Sequence, residues 1–277
     1  MLMERRPFLS HARCEPAVPG VVLDQNGQPM ATQLPGERAL TIYLDKREIV
    51  TLMTLGQNPE ALVLGYLRNQ RLIDDIRDIA ELHVSWEVSV AAVSTYRGDA
   101  GERCEDLLLR RTVTSGCGQG TQFGNALERL QPLHDDGFRV ARSTVFALLE
   151  QVRQLDTVYK RCGAVHGCVL ADSERILHHV EDIGRNNAVD SISGLMWLEG
   201  RSGNGAGSRK LFYTTGRLTS EMVIKTVEMG IPVLISRSGT TERGLDIARH
   251  GGLTLIGRAW NERFLVFNGS ERIDFTK

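Results

Sequence analysis

Short runs in which apolar and polar residues alternate occupy the first third of the chain and predict a β-rich region. Residues 39–44 and 47–53 are two such runs, separated by a turn-like Asp-Lys pair, and this arrangement is typical of paired strands. Residues 81–93 alternate in the same way and predict a single strand with one buried face. The tripeptide Asn-Pro-Glu at 58–60 predicts a helix start, because it supplies a capping side chain, a proline at the first helical position and an acid in the first turn.

From residue 142 onwards the pattern changes to helices that alternate with strands. The helical segments are 143–155, 184–200, 220–230 and 241–251. The strand segments are 163–171, 175–181, 210–215, 231–236, 253–257 and 263–267. This succession indicates a sheet with parallel strands covered by helices, with Ser143 or Thr144 as the cap of the first helix. A further helix is expected over 125–133, and the glycine-rich stretch 201–210 is expected to form a mobile surface loop.

The order of these elements predicts an α/β protein in three parts. Residues 1–35 are an N-terminal extension, residues 36–135 are a smaller β-rich α+β domain that ends in a cysteine loop, and residues 136–277 are an α/β domain. A chain of 277 residues is long enough for two domains that each bury a core.

The charge balance and the cysteine count narrow the classes of partner. The 33 Lys and Arg residues nearly cancel the 34 Asp and Glu residues, so no global field attracts the chain to nucleic acid or to a membrane. No apolar run follows the N-terminal arginines and none approaches a membrane span, so neither a secretory signal nor a membrane helix is expected. Five irregularly spaced cysteines favour free thiols in a reducing cytoplasm.

The first candidate for chemistry is Cys117, which lies in the sequence TVTSGCGQGTQFG at 112–124. Structural cysteines are usually buried as small hydrophobes, whereas this thiol is placed among glycines. Arg110 and Arg111 precede it and a helix is expected after it, so positive surroundings would favour the thiolate. A plain glycine-rich turn that happens to contain a cysteine is the alternative.

A second group, Cys162, His166 and Cys168, falls in one predicted strand. Alternation would place the three side chains on one face, too spread out for a tetrahedral zinc site. Buried cysteines with a hydrogen-bonded histidine are therefore favoured over a metal site, and His166 is kept as a candidate polar group in a pocket.

Two strand-to-helix turns suggest an anionic ligand. Arg185 follows one predicted strand and opens a helix, and Arg217 follows another strand just before a helix. Free N–H groups at helix N-termini at the edge of a sheet bind phosphates. The alternative is two ordinary turns with solvated arginines.

A predicted hairpin near the C-terminus holds Arg258, Trp260 and Arg263. An indole face with two guanidinium groups suits a planar base that carries phosphates. A half-buried tryptophan in a hairpin is the alternative.

Together these motifs resemble, in order, the formate dehydrogenase accessory sulfurtransferase family, FdhD. The matching stretches are SGCGQG, GAVHG, EDIGRNNAVD, TTGRLTSEMVIK, GIPVL and LTLIGRAWNERFLVF. The segment from Pro35 to Leu67 is also similar to the opening domain of that family. The resemblance covers nearly the whole chain.

The resemblance implies a cytoplasmic sulfur carrier whose C-terminal part has a cytidine-deaminase-like fold. No zinc is expected, because the deaminase pattern of H-x-E with a later P-C-x-x-C is missing from the sequence. Family members accept sulfur as a persulfide from a cysteine desulfurase and pass it to the bis-molybdopterin guanine dinucleotide form of the molybdenum cofactor. Formate dehydrogenase requires that cofactor. The family also tends to dimerise, so a homodimer is a further expectation.

The functional residues of the family fall on positions already singled out. The persulfide cysteine falls on Cys117. The cofactor-contacting stretch falls on Arg258, Ala259, Trp260, Asn261, Glu262 and Arg263. We expect Arg185 and Arg217 to hold phosphates of this guanine-nucleotide-bearing cofactor together with Arg258 and Arg263, with Trp260 against a ring and His166 in the same pocket.

Two positions depart from the family pattern. Many relatives carry a second loop cysteine where this chain has Gly120. A second thiol would release sulfur by closing a disulfide, so release here needs another reductant or direct transfer to the metal, unless Cys162 or Cys168 takes that part. Asn186 replaces the usual histidine, which argues against a general acid there.

Three functions follow from these residues. The first is a sulfurtransferase that uses nucleophilic covalent catalysis at Cys117. The second is a non-covalent chaperone that binds the molybdenum cofactor through Arg258 and Arg263 and inserts it into the apoenzyme. The third is a zinc-dependent hydrolase on the same fold.

Overall fold

The structure, a computed structural model, describes residues 6–103, 112–113, 120–121, 130–200 and 207–276. Most of the expected helix over 125–133 and of the expected loop over 201–210 lies outside these residues. The elements below belong to the described part of the chain.

The strands, in chain order, are β1 (Phe8–Leu9), β2 (Ala17–Leu23), β3 (Pro29–Pro35), β4 (Arg38–Leu44), β5 (Arg47–Thr54), β6 (Ile79–Ser85), β7 (Val90–Thr95), β8 (Thr112–Val113), β9 (Gly120–Thr121), β10 (Val140–Ala141), β11 (His166–Ala171), β12 (Ile176–Asp182), β13 (Leu211–Thr214), β14 (Val233–Ser236), β15 (Thr254–Trp260), β16 (Arg263–Asn268) and β17 (Ile273–Asp274). The helices are α1 (Pro59–Asn69), α2 (Ala100–Arg103), α3 (Arg142–Gln154), α4 (Val158–Cys162), α5 (Arg185–Leu198), α6 (Ser220–Glu228) and α7 (Glu242–His250), with 3-10 turns at Ile76–Asp78 and Ser270–Arg272. None of the helices in the described ranges is long and apolar enough to cross a membrane.

A five-stranded sheet in the order β1-β6-β7-β4-β5 forms the first half of the molecule. β4 and β5 pair antiparallel, which confirms the strand pair predicted for residues 39–53. Alternate residues such as Leu40, Ile42 and Leu44 are fully buried in a core that α1 closes. β1 comes from the segment predicted as an extension and pairs with β6 at the edge of the sheet.

The prediction of one strand over 81–93 is wrong. The chain reverses there, so that β6 and β7 pair antiparallel, with Ser85 opposite Val90. Ser89 makes the turn with a φ of 56°, and the indole N–H of Trp86 donates to the Ala12 carbonyl oxygen at 3.1 Å. The buried positions change from Leu82 and Val84 in β6 to Ala91 and Val93 in β7. Trp86, Val88 and Val90 carry the apolar spacing of β6 through the turn although Val88 is exposed, so the pattern does not reveal the reversal.

The predicted helix starts are close, but their caps differ from those expected. α1 begins at Pro59 as predicted, yet the Asn58 side chain makes no capping hydrogen bond. α3 begins at Arg142, one residue before the expected range, and its cap residue is Ala141 rather than Ser143 or Thr144. The bridge between β10 and β17, which holds Ala141 in extended backbone, fixes this start.

The second sheet has the order β12-β11-β13-β14-β15-β16. β13, β14 and β15 are mutually parallel, while β11 and β16 run antiparallel to their neighbours. Leu170, Phe212 and Leu234 pack towards α5, α6 and α7 on one side of the sheet. Tyr213 and Ile235 pack towards α3 on the other side. The prediction of a sheet with parallel strands covered by helices is confirmed, and the antiparallel strands on either side make the sheet mixed.

The two halves meet where α1 crosses α5 with almost no side chains between them. A Cβ atom added at Gly65 would lie 1.7 Å from the Asp190 carbonyl oxygen. A Cβ atom added at Gly194 would lie 1.9 Å from the Ala61 carbonyl oxygen. The two glycines therefore permit backbone-to-backbone packing that no other residue allows.

Asp182, at the end of β12, joins the two halves by hydrogen bonds. Its Oδ2 accepts the Thr54 hydroxyl at 2.5 Å and the Leu55 N–H at 3.0 Å. Its Oδ1 accepts the Gly184 N–H at 3.0 Å and the Asn187 side-chain amide at 2.9 Å. A carboxylate from the second sheet thus orders the end of β5 in the first.

Candidate functional site

One edge of the second sheet collects the strand ends that can bind a ligand. β13 and β14 end there, followed directly by Thr215 and Arg237. β12 ends and β11 begins at the same edge, since His166 lies opposite Asp182. α5 and α6 also begin there, so the partial positive charges of their N-terminal ends lie at the same edge.

His166 lies half-buried where these elements meet. Its Nδ1 is 3.4 Å from Thr215 Oγ1, which accepts the Gly167 N–H at 3.0 Å. Burial lowers the pKa of His166 below its ordinary value of 6.5, and the positive charges of Arg185 and Arg217 lower it further. The structure therefore brings three predicted site residues together, with the imidazole neutral near pH 7.

The two arginines of this group differ in exposure. Arg185, the first residue of α5, is only 8% exposed and lies across Gly216. A Cβ atom at position 216 would be 3.2 Å from both Cβ and Cδ of Arg185, so the glycine leaves room for that side chain. Arg217 is exposed. An anion at this edge would meet one guanidinium fixed by packing and one that reaches it from solvent.

His166, Arg185 and Arg217 are called the His166 group below. A cleft of about 190 Å³ opens beside this group. The Arg237 guanidinium lies 5.5 Å from the ring centre of Tyr159 and 5.3 Å from that of Trp260, both in cation–π range. Thr215 lines the cleft and also contacts His166, so the two features are continuous. Arg237 was missed by the sequence reasoning, although it directly follows a predicted strand.

The wall of the cleft is positively charged. Arg153, Lys160 and Arg237 all line it. Glu181 also lines it, but its two carboxylate oxygens accept the first two N–H groups of α4 at 2.5 and 3.0 Å. The acid is therefore occupied in holding α4, which forms one side of the cleft. Arg153 pairs with Glu150 at 2.7 Å and Lys160 Nζ donates to the Arg153 carbonyl oxygen at 2.8 Å, so Arg237 is the cation of the three best placed to face a ligand.

The stretch predicted to contact the cofactor forms the hairpin between β15 and β16. Residues 259–261 line the cleft beside His166, while residues 260–263 line a second groove along α3. Trp260 separates the two and is half exposed. Arg258 and Asn261 adopt positive φ angles of 52° and 51°, which turn the chain sharply on either side of the indole. Trp260 thus joins the His166 group, whereas Glu262 and Arg263 face the other groove.

The predicted persulfide residue, Cys117, lies outside the residues that the structure describes. On either side of it in the sequence, β8 and β9 pair antiparallel, with Thr112 opposite Thr121 and Val113 opposite Gly120.

The placement of Cys162 on the strand of His166 is wrong. Cys162 is the last residue of α4, and Gly163 ends that helix in the left-handed conformation. Cys168 lies in β11 and is fully buried. Among the described residues, no group of three or more His, Cys, Asp and Glu side chains is arranged to hold a metal ion.

Cys168 is expected to be unreactive in the native protein. Burial raises the pKa of its thiol to about 12, and its Sγ lies 3.4 Å from Thr214 Oγ1. Because the thiolate is the nucleophile, alkylation by iodoacetamide near pH 8 should be at least about a thousandfold slower than for an ordinary thiol. Peptide mapping by mass spectrometry would measure this, with half-buried Cys14 as the comparison. Equal labelling of the two cysteines would contradict the expected burial.

A buried network of polar side chains lies behind the sheet edge at which α5 and α6 begin. The Asn186 side-chain amide donates to Glu221 Oε2 at 2.8 Å, and Lys225 Nζ is 3.6 Å from Glu221 Oε1. Lys225 Nζ also pairs with Asp190 Oδ1 at 2.8 Å, and Asp190 accepts the Asn69 amide at 2.6 Å. This network ties α1, α5 and α6 together and holds the N-termini of α5 and α6 in one arrangement.

Comparison with known proteins identifies the family. The model of the FdhD/NarQ family matches residues 35–274. The chain belongs to the FdhD/NarQ family. The family match spans the second sheet, all of the first sheet except β1, the His166 group and the Trp260 hairpin.

Several relatives in this family are similar over most of both chains. A sulfur carrier protein FdhD from Listeria monocytogenes is 28% identical over 89% of this chain and 93% of its own length. One from Bacillus subtilis is 28% identical over 88% of this chain and 90% of its own length. One from Sulfurisphaera tokodaii is 30% identical over 84% of this chain and 87% of its own length. A crystal structure from Desulfotalea psychrophila, provisionally assigned as a formate dehydrogenase accessory protein, matches with a TM-score of 0.73 and 28% identity, covering 93% of this chain and 98% of that one.

Proposed function

We propose that this protein is a cytoplasmic sulfur carrier needed for formate dehydrogenase activity. It would accept sulfur from a cysteine desulfurase on Cys117 and deliver it to the bis-molybdopterin guanine dinucleotide form of the molybdenum cofactor, which it binds as a substrate. The observation that carries the proposal is the His166 group beside an aromatic, cationic cleft, in a chain whose family relatives are named sulfur carrier proteins.

The cleft suits a guanine nucleotide in both shape and charge. Arg237 lies over the rings of Tyr159 and Trp260, and we expect a planar base to stack against the cluster that these three side chains form. Arg185 and Arg217 at the edge suit the phosphates, because guanidinium groups pair with phosphate oxygens in a bidentate manner. A neutral His166 adds a hydrogen-bonding group without adding charge. The mixed sheet with helices on both faces supports a deaminase-like scaffold in the C-terminal part.

Sulfur reaches Cys117 by exchange between a thiolate and a persulfide. The Cys117 thiolate attacks the outer sulfur of the donor persulfide, so one S–S bond forms on Cys117 as the donor S–S bond breaks and its thiolate leaves. No net oxidation occurs in that step. Release of the outer sulfur as sulfide requires two electrons, which two molecules of a small thiol supply as they become a disulfide. Because Gly120 stands where many relatives carry a second cysteine, we assign this reduction to an external thiol.

A second candidate function is non-covalent delivery of the cofactor to the apoenzyme, and Gly120 is the observation that favours it. The chaperone hypothesis needs the cleft and its arginines but leaves Cys117 dispensable. The sulfur-carrier hypothesis needs both.

Calorimetric titration with GDP, used as a probe for the guanine nucleotide arm, tests the cleft. We expect Arg217→Gln to weaken binding by about tenfold or more, because a charge-assisted hydrogen bond to phosphate contributes roughly 1.5–3 kcal/mol. Arg249→Gln is the matched control, since Arg249 is an exposed arginine in the last turn of α7. Cys117→Ala should bind GDP as the unaltered protein does. If the Arg217 and Arg249 variants bound GDP with equal affinity, the assignment of phosphate binding to this edge of the sheet would be wrong.

A further inference from the structure

A second cavity, of about 500 Å³, lies next to the cleft and is lined almost entirely by polar side chains. It is bounded by residues 13–15, by the residues just before α1 and by α4, and we call it the Cys14 cavity. His179 and Glu181 of β12 line both this cavity and the cleft, so the two adjoin at β12. The volume is in the range of sites that bind small molecules.

The segment that carries Cys14 is fixed, although it has no regular secondary structure. The Cys14 N–H donates to the Gly56 carbonyl oxygen at 2.9 Å. Two residues earlier, the Ala12 N–H donates to Glu60 Oε1 at 2.6 Å, and the Trp86 indole N–H donates to the Ala12 carbonyl oxygen. These bonds hold the half-buried thiol of Cys14 at the wall of the cavity.

Four charged side chains on the wall are without a partner in the described part of the chain. Arg13 and Arg161 supply two positive charges, and Glu15 and Asp156 supply two negative charges. None of the four side chains forms an ion pair or a hydrogen bond with another described residue. A ligand that carries both a carboxylate and an ammonium group would meet a partner for each, since guanidinium groups bind carboxylates in a bidentate manner.

Two side-chain amides complete the polar lining. Gln57 and Asn58 both line the cavity and are half-buried. Asn58 precedes α1 but does not cap it, and neither amide has a side-chain hydrogen bond to another described residue. An amide both donates and accepts, so it suits the peptide group of a ligand. Charges of both signs, amides and a thiol together fit an amino acid or a short peptide that contains sulfur.

We propose that the Cys14 cavity binds the disulfide of a small zwitterionic thiol, an amino acid or short peptide, and that Cys14 exchanges thiols with it. The Cys14 thiolate attacks one sulfur of the bound disulfide. One S–S bond forms on Cys14 as the original S–S bond breaks, and the other half of the ligand leaves as a thiolate, so no net oxidation occurs.

Such a disulfide is also the product that an external thiol forms when it releases sulfur from Cys117. The link between the cavity and sulfur transfer rests on the proposed function. The site itself does not, because none of its residues belongs to the cysteine loop or to the His166 group.

Two disulfides of different charge test the site in protein that carries Cys117→Ala. Oxidised glutathione is the zwitterionic probe, and bis(hydroxyethyl) disulfide is the uncharged one. Intact-protein mass spectrometry with peptide mapping gives the rate constant of each reaction at Cys14. The ratio of the two rate constants should be about tenfold or more higher at Cys14 than at Cys162, another half-buried thiol, because bound charges add charge-assisted hydrogen bonds.

The double variant Arg13→Gln/Arg161→Gln should lower this ratio at Cys14 by about tenfold or more, because it removes both guanidinium groups. Measuring a ratio cancels any general change in the reactivity of the thiol. Arg249→Gln, an exposed arginine of α7, is the matched control and should leave the ratio unchanged. Both substituted arginines of the cavity are exposed, so the variant is expected to fold, which far-UV circular dichroism checks.

Two results would overturn the proposal. One is a ratio at Cys14 no higher than that at Cys162, and the other is a ratio that the double variant leaves unchanged. Because Cys117 is absent from the protein tested, neither result bears on sulfur loading at Cys117, and failure of the proposed function would leave the exchange at Cys14 intact.

Discussion

Replacing Gly194 by alanine is expected to destabilise the protein by at least about 3 kcal/mol. The added Cβ would lie 1.9 Å from the Ala61 carbonyl oxygen and 2.7 Å from the Ala61 carbonyl carbon, far inside contact distance. Both atoms belong to the α1 backbone, so no flexible side chain can move aside and the helices have to separate. Within a helix, alanine is otherwise favoured over glycine by about 1 kcal/mol, so a loss of stability has to arise from the contact.

Urea denaturation followed by circular dichroism measures this effect. Gly65→Ala should lower the free energy of unfolding to a similar extent, because its added Cβ would lie 1.7 Å from the Asp190 carbonyl oxygen. Gly239→Ala is the matched control, since nothing lies within 4 Å of the Cβ position there and the φ angle is not positive. Its free energy of unfolding should change by less than about 0.5 kcal/mol. If the Gly194 and Gly239 variants unfolded at the same urea concentration, the close packing of α1 on α5 would be refuted.

Lys225→Met should cost about 3–5 kcal/mol of stability, because it leaves carboxylates buried without their cation. Burial opposes the charge of Lys225, but Asp190 and Glu221 more than offset this and hold the pKa of the lysine above its ordinary value. Lys225 and Asp190 are 4% and 2% exposed, so water cannot replace the lost partner. The double variant Asp190→Asn/Lys225→Met should cost less than the two single changes added together, since it removes both charges.

The pH dependence of Lys225→Met gives a second readout. Burial raises the pKa of Asp190 above its ordinary value, and Lys225 opposes that rise. Without the lysine the pKa in the folded state rises further, so the folded protein binds a proton that the unfolded chain has released. Stability is then greatest in acid and falls as the pH rises through the folded-state pKa. As the pH rises above 3.8, the ordinary pKa of an aspartate, the single variant should lose stability that the double variant keeps. Parallel pH profiles for the two variants would contradict the buried ion pair.

Local pattern predicted most of the elements but not the contacts between them. The helices that became α5, α6 and α7 were expected from their apolar spacing, and the structure confirms them. The reversal between β6 and β7 was not predicted because apolar residues of the turn, Trp86 and Val88, continue the spacing of β6 although they are not in the core. The start of α3 at Arg142 is decided by pairing with a strand at the far end of the chain, which periodicity does not record.

The candidate site was predictable where residues followed strand ends. Arg185 and Arg217 were found by that rule, and Arg237, which follows β14 in the same way, could have been found by it too. The buried network had a weaker signal: Asn186 with Asp190, and Glu221 with Lys225, are spaced four residues apart in predicted helices. The glycine contact between α1 and α5 depends on tertiary packing, and no local pattern marks it.

The most direct test of the proposed function is intact-protein mass spectrometry after incubation with a cysteine desulfurase and free cysteine. We expect the unaltered protein to gain one sulfur atom, which a reductant removes, and Cys117→Ala to gain none. Cys14→Ala is the control, because Cys14 is a half-buried thiol about a hundred residues from Cys117 in the sequence, and its replacement should leave loading intact. No gain by the unaltered protein beside an active desulfurase, or equal loading of Cys117→Ala, would contradict a persulfide on Cys117 and favour the chaperone.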